Sequence, residues 1–447
     1  MLQKPIVQTG GAEIEAHELK QKILNAPDVE IEGGTVYYFS QNGDDNNDGL
    51  SPEKALKSYM KMAELPLKSG DYVLFERGSL FRATDEVHLI SGVTYAAYGK
   101  GEKPRIYGSW RDYADASIWT EKEKNLWTVY IGSKEAAGLI NFNNDTLIGE
   151  WQLTLENVKT NGDFYYEKES GVLYLYCDMG NPGECFDNIE IATTKQPMRI
   201  SEKQDIRVDN LCFKYCNFGA FLIDEVKNII ITNCEMGWHG GRLFEVRDGR
   251  PIRYGNTIEF WYRCENIKVE NCWVYQVFDA AMTFQGCNDS NPIFKNIHFD
   301  NNLIEYCSMN IEYWARSVEG APPPHISDIT YKGNIIRFAG YGWGGMQRAD
   351  KDGQAAFLAW NHKYEDLSNF VISENIVDVS DCFMIYMVPH AGLKFTNNTY
   401  YQKTASGTHP FTQPVKHGGK YASNQAELEE EIKKVEPTPK FIKWLED

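Results

Sequence analysis

DIRVDNLCF (Asp205–Phe213), NIIITNCEM (Asn228–Met236) and NIKVENCWV (Asn266–Val274) are one phrase written three times. It returns as NIHFDNNLI (Asn296–Ile304), DITYKGNII (Asp328–Ile336), NFVISENIV (Asn369–Val377) and GLKFTNNTY (Gly392–Tyr400). Each copy reads polar–apolar–x–apolar–x–Asn/Gly–x–x–apolar. The starts lie 23, 38, 30, 32, 41 and 23 residues apart, so register is kept inside the phrase while the linkers vary. Alternating apolar residues make each copy a short strand with one buried face. Repeats of this period are stacked units, none of which buries its apolar face alone.

The pattern predicts an all-β chain, a right-handed parallel β-helix whose coils each contribute three short strands. The Asn that bends the chain after the strand is expected to stack on its counterpart in the next coil. Ile206, Ile229, Ile267, Ile297, Ile329, Phe370 and Leu393 should form one column, at about 4.8 Å per rung. A solenoid core grows with coil number, so the length of 447 residues fits one long domain. The expected division is an N-terminal cap with the first coils over 1–92 and the β-helix over 93–402. A β-rich insertion is expected at about 112–183, where Trp119, Trp127, Trp151 and GDFYYEKESGVLYLY break the rhythm, and a C-terminal cap over 403–447. Helices are expected at Ala12–Leu24, covering the open end of the solenoid, at Lys54–Leu65 and at Ala426–Val435.

A net charge of −18 argues against nucleic acid or an anionic membrane as partner. No stretch approaches 18 apolar residues, which excludes a helical membrane span. The start MLQKPIVQTGG has no apolar signal core, so the expected location is cytoplasmic if Met1 is native and secreted if a leader has been removed. Ten cysteines are scattered without a CxxC pair, and Cys234 and Cys272 fill the same slot of consecutive phrases. They read as stacked buried thiols rather than zinc ligands. The loop DDNNDG (Asp44–Gly49) has the alternating oxygens of a calcium loop, but Ala55 stands where its closing acidic residue belongs, so an Asx-rich turn is the simpler reading.

Upstream of the repeats lies TVYYFSQNGDDNNDGLSPEKALKSYMKMAELPLKSGDYVLFERGSLFRA. Tyr38, Gly43, Asn47, Asp48, Gly49, Leu50, Ser51, Pro52 and Lys57, then Gly70, Asp71, Val73, Leu74, Phe75, Arg77, Gly78, Phe81 and Arg82, carry a resemblance. The segment resembles the N-terminal part of bacterial right-handed β-helix carbohydrate-active enzymes of the pectin lyase-like superfamily. The resemblance covers Thr35–Arg82 and the coils from Asp205 onward. It implies the β-helix and an activity on carbohydrate, by a glycoside hydrolase or a polysaccharide lyase.

Aligning the strand that follows each phrase gives GAFLID, NTIEFW, AAMTFQ, MNIEYW, AAFLAW and CFMIYM. Phe221, Ile258, Met282, Ile311, Phe357 and Met384 point inward. Their neighbours point outward, because side chains alternate along a strand. One outward column is Leu222, Glu259, Thr283, Glu312, Leu358 and Ile385. The next is Asp224, Trp261, Gln285, Trp314, Trp360 and Met387. Glu259 and Glu312 therefore share a face two rungs apart, roughly 9.6 Å between backbones. That spacing suits an inverting glycosidase, with one carboxyl as acid and the other activating water. Asp279, at the turn into the middle rung, is the rival for either role. Trp261, Gln285, Trp314 and Trp360 form a band suited to a pyranose.

Two long excursions, Gly237–Gly255 and Gly340–Gly353, should gather over this face and make a pocket suited to exo action. They bring His239, Arg253, Tyr254, Trp343, Gln347, Arg348 and Asp350 as substrate-binding candidates, with Arg253 and Arg348 equally suited to neutralising the acids. A lyase would need a basic residue as base and a cation on the uronate carboxylate. The outward column offers neither, although Arg316 and Lys363 lie at its rim and His239, Arg253 and Tyr254 in the loops. A glycan-binding solenoid without activity would need only the Trp band. The expected partner in all three readings is an oligo- or polysaccharide, with no metal ligand set and no cofactor required.

Overall fold

The structure is a computed structural model that describes residues 2–132, 137–287, 292–316, 323–348, 354–360, 366–386, 391–403 and 422–446. The repeats stack as the alternation requires. Ile206 pairs with Ile229, then Ile267, Ile297, Ile329, Phe370 and Leu393, one rung at a time. Every pairing in the two large sheets is parallel, and the chain is a right-handed parallel β-helix. A sixteen-stranded sheet carries two faces of the coil, because strands such as Phe221–Thr232 and Ile258–Glu270 run through both. A ten-stranded sheet, from Leu80–Arg82 to Phe441–Trp444, forms the third face. The stack begins before Val93: Val36–Phe39 pairs with Tyr72–Glu76, which pairs with Thr94–Tyr98 and so joins the repeats.

At the end of each phrase's first strand, bending and stacking fall to adjacent residues. The sixth position of each phrase turns the chain with positive φ, at Asn210, Asn233, Asn271, Asn301, Gly333, Glu374 and Asn397. Asn and Gly accept this left-handed backbone most readily. The buried ladder lies one residue later, at Asn302, Asn334, Asn375 and Asn398. Each Nδ2 donates to the Oδ1 of the next, at 3.0, 2.9 and 3.0 Å, and also to a backbone carbonyl of another coil. The ladder ends on Glu436, which accepts from both the backbone N–H and the Nδ2 of Asn398 at 2.9 Å. In earlier coils the same slot holds the buried thiols of Cys234 and Cys272. A second ladder joins the polar first positions, Asp205, Asn228, Asn266 and Asn296.

The N-terminal helix, Glu13–Leu24, lies alongside the ten-stranded sheet rather than over an open end. Ala12, Ala16 and Ile23 pack on Leu303 and Ile335, and Asp378 accepts from the N–H groups of Gly11 and Ala12. Its apolar residues follow the flank of the solenoid, so the expected end cap is corrected. The expected helix at Lys54–Leu65 is instead two short 3₁₀ turns, Pro52–Lys54 and Tyr59–Glu64. The far end is closed by the helix Gln425–Lys433, whose Leu428 and Ile432 enter the main core, and by Phe441–Trp444 pairing with Thr399–Gln402. The loop Asp44–Gly49 is a set of local turns: Asp45 accepts from the N–H groups of Lys57 and Ser58.

Between the first coils and the repeats stands a lobe with its own core, including Trp119, Phe142, Phe164 and Leu173. Its five-stranded sheet joins Thr120–Glu123, Leu126–Tyr130, Val172–Tyr176, Asp163–Glu167 and Glu150–Trp151. Ile189–Ile191 returns the chain by pairing with Ile140–Phe142. Among the described residues, no helix is long and apolar enough to cross a membrane.

Candidate functional site

The two outward columns hold their expected register. Glu259 pairs with Thr283, and Thr283 with Glu312; Trp261 pairs with Gln285, Gln285 with Trp314, and Trp314 with Trp360. These strands form the floor of a cavity of about 830 Å³. One wall is an antiparallel hairpin, Arg242–Arg247 with Arg250–Tyr254, turned at Asp248-Gly249. It brings Phe244, Arg253 and Tyr254 to the cavity, where Tyr254 packs against Phe218 and Phe244 at 5.7 and 5.1 Å between ring centroids. Trp261, Tyr262 and Trp314 also line the cavity. The Trp261 and Trp314 rings meet edge to face at 6.2 Å, and both are partly exposed.

Glu259 is only 2% exposed. Its Oε1 accepts from Asn256 Nδ2 at 3.0 Å, and its Oε2 is buried without a hydrogen-bond partner. Asn256 is held in turn, because its Oδ1 accepts from the Ala280 N–H at 2.9 Å. Burial pushes the Glu259 carboxyl up to about 8; the Asn256 hydrogen bond opposes this, and the charge of Glu312 adds to it. Burial thus favours its protonated form.

Glu312 is 7% exposed. Its Oε2 accepts from Thr283 Oγ1 at 2.9 Å and from Gln285 Nε2 at 2.7 Å. Burial, then the charge of Asp279, raises it to about 7 against these two hydrogen bonds and Arg348. Asp279 accepts from Arg348 at 2.6 Å, which makes it a fixed ion pair at the edge of the carboxyl pair. Two buried acids of raised proton affinity, one with two donors on one oxygen and the other with one oxygen unpartnered, have the form of a general base beside a general acid.

The expected binding residues divide. Trp261, Gln285, Trp314, Arg253, Tyr254 and Arg348 line the cavity, and Gln285 there holds Glu312. His239 and Trp343 do not line it, which corrects their expected role. His239 is fully buried at the end of Glu235–His239, with Nδ1 accepting from the Cys216 N–H, and burial lowers its imidazole to about 3. Trp343 is also fully buried; its Nε1 donates to the Gln276 carbonyl and its ring packs on Phe278. Gln347 donates to the Gly149 carbonyl of the lobe rather than into the cavity. The side chains of Trp360 and Arg316, and residues Asp350, Lys363 and Met387, lie outside the described residues. Residues the sequence did not suggest are Asn256, Phe244, Lys195 and the Arg199–Asp224 ion pair, all lining the cavity.

Arg253 stands apart. It is 8% exposed, and its guanidinium lies between the Trp151 and Phe278 rings, 4.4 and 4.5 Å from their centroids. Nε donates to the Gly241 carbonyl at 2.7 Å and Nη2 to the Gly138 carbonyl at 2.8 Å. Burial lowers it to about 9, with repulsion from Arg348 adding.

No protein-family model matches the chain, and no curated protein matches it. Solved structures do. XylC with xylose is 13% identical with a TM-score of 0.55, over 85% of this chain and 66% of that one. The native GH136 lacto-N-biosidase from Eubacterium ramulus is 15% identical with a TM-score of 0.42, over 85% and 57%. A rhamnogalacturonan lyase is 11% identical with a TM-score of 0.38, over 82% and 74%. The chain thus spans less than two thirds of the length of the first two. At 13% identity the likeness to XylC is one of fold alone.

Proposed function

We propose that the chain is a glycoside hydrolase acting on an oligo- or polysaccharide, with Glu259 as general acid and Glu312 as general base. The observation that carries this reading is the buried pair itself: two carboxyls in one column, one rung between them, in a cavity floored and walled by Trp261 and Trp314. Glu259 gives its proton to the leaving glycosidic oxygen. Glu312, held by Thr283 and Gln285, takes a proton from water as that water attacks the anomeric carbon. The backbone separation of roughly 9.6 Å favours inversion, because it leaves room for the water. Trp261 and Trp314 offer apolar faces at a corner that fits a sugar ring. The hairpin wall favours a pocket and exo action.

A lyase is the second reading, favoured by Arg253, a buried cation that lines the same cavity. There Arg253 would neutralise a uronate carboxylate and Tyr254 would take the proton beside it. Digests across a glycan panel, followed by chromatography and ultraviolet absorbance, separate the two. Sugar release without unsaturated uronate supports the hydrolase. Release with that absorbance replaces it by the lyase, and binding without turnover by a glycan-binding solenoid.

A further inference from the structure

Six basic and five acidic side chains line the cavity of a chain whose net charge is −18. Three of the acids are used locally: Asp224 pairs with Arg199, Glu245 with Arg247 and Asp279 with Arg348. The other two are the carboxyl pair, Glu259 held by Asn256 and Glu312 held by Thr283 and Gln285. Against them stand Lys195 and Arg253, neither of which has a carboxylate partner among the described residues. Lys195 is half-buried, and its ammonium lies 5.7 Å from the Phe218 ring. The Phe218 ring also packs on Tyr254, the neighbour of Arg253.

Arg253 is the unusual group. A buried guanidinium without a counter-ion is costly, and two aromatic rings and two carbonyls repay only part of that. Its two hydrogen bonds use Nε and Nη2 and leave further N–H donors in a group that lines the cavity. The lobe fixes this cation from behind, through the Gly138 carbonyl and the Trp151 ring. Such a fork matches the two oxygens of a carboxylate or sulfate.

We infer that the cavity selects an anionic sugar, whose carboxylate or sulfate is received by Arg253 with Lys195 at the rim. This rests on the glycosidase reading for the identity of the site, and adds the class of substrate to it. The anion supplies the counter-charge that Arg253 lacks.

The test is a binding titration of the intact protein with galacturonate and glucuronate, with galactose and glucose, and with galactose 6-sulfate, read by tryptophan fluorescence. A charge-assisted hydrogen-bonded pair should make an acidic sugar bind about tenfold or more tighter than its neutral counterpart, and added salt should weaken it. Preference for the uronates assigns a carboxylate, and preference for the sulfated sugar a sulfate. Lys195→Met should reduce that preference. Arg253→Gln should abolish it, with a melting curve to report folding. Equal binding of hexose and hexuronate, or no binding of any anionic sugar, overturns the inference. Hydrolysis of a neutral glycan alongside that result keeps the glycosidase and removes the anionic substrate. Tight uronate binding with no glycan cleaved does the reverse.

Discussion

Glu259 and Glu312 stand in one column of the sheet, each paired in register with Thr283 between them. The solenoid fixes their separation, since each rung is set by backbone hydrogen bonds. Their surroundings differ. Glu312 has two donors on one oxygen, whereas Glu259 has one donor and a bare second oxygen.

The pH dependence follows from the two acids. The proposed mechanism needs Glu312 ionised, from about 7 upward, and Glu259 protonated, up to about 8. A bell-shaped kcat/KM profile with its maximum between these values is expected. Rates measured across buffers of constant ionic strength check it. A rate that climbs steadily through pH 9 would contradict a protonated Glu259.

Stability should carry the same signature. The Glu259 pKa is raised in the fold from an ordinary 4.5 to about 8, so the folded protein holds a proton that the unfolded chain releases across this window. The contribution of Glu259 to stability therefore falls as pH rises from 4.5 through 8. Glu259→Gln removes that loss. Its melting temperature relative to wild type should rise across the window and be level below it. A difference that does not change with pH would contradict the burial.

The register of the site was legible in the sequence because a strand has a period of two and a solenoid repeats it. One alignment of NTIEFW, AAMTFQ and MNIEYW placed Glu259, Thr283 and Glu312 correctly. The walls were not legible in the same way. Asp248-Gly249, both at positive φ, is a hairpin turn signal inside what reads as a loop. Trp343 reads as a loop aromatic, yet the glycines around it mark close packing: a Cβ at Gly342 would lie 1.8 Å from the Tyr306 carbonyl oxygen. Asn256 had a signal in its place three residues before Glu259, but only the fold shows Ala280 orienting it. The stacking Asn of the later coils was misplaced by one residue because bending and stacking use adjacent positions.

The ladder makes its own prediction. Asn375 accepts from the N–H and Nδ2 of Asn334 and donates to the Tyr331 carbonyl and to Asn398, all buried. Asn375→Leu strands these groups, each at a cost of about 1–3 kcal/mol. A loss of at least that size in chemical denaturation is expected, with no comparable loss for Asn369→Gly, which keeps the left-handed backbone in the exposed ladder.

Trp314→Ala tests the platform. Loss of one aromatic face should raise KM by about fivefold to tenfold, with a smaller effect on kcat. Steady-state kinetics on the substrate found in the panel provide the check. An unchanged KM would move sugar stacking to the hairpin side, to Phe244 and Tyr254.

The most direct test of the account is the turnover of Glu259→Gln, Glu312→Gln and Asp279→Asn beside wild type. Each replacement keeps size and hydrogen bonding and removes the carboxyl chemistry. Loss of a general acid or base costs about 10²–10⁴ in rate, and a loss of that size is expected for both Glu variants with melting curves that show a folded protein. Asp279→Asn, which unpairs Arg348 and removes a charge beside Glu312, should lose less and shift the pH profile. Near wild-type turnover in both Glu variants, with Asp279→Asn inactive, would contradict the assignment and move the chemistry to the turn.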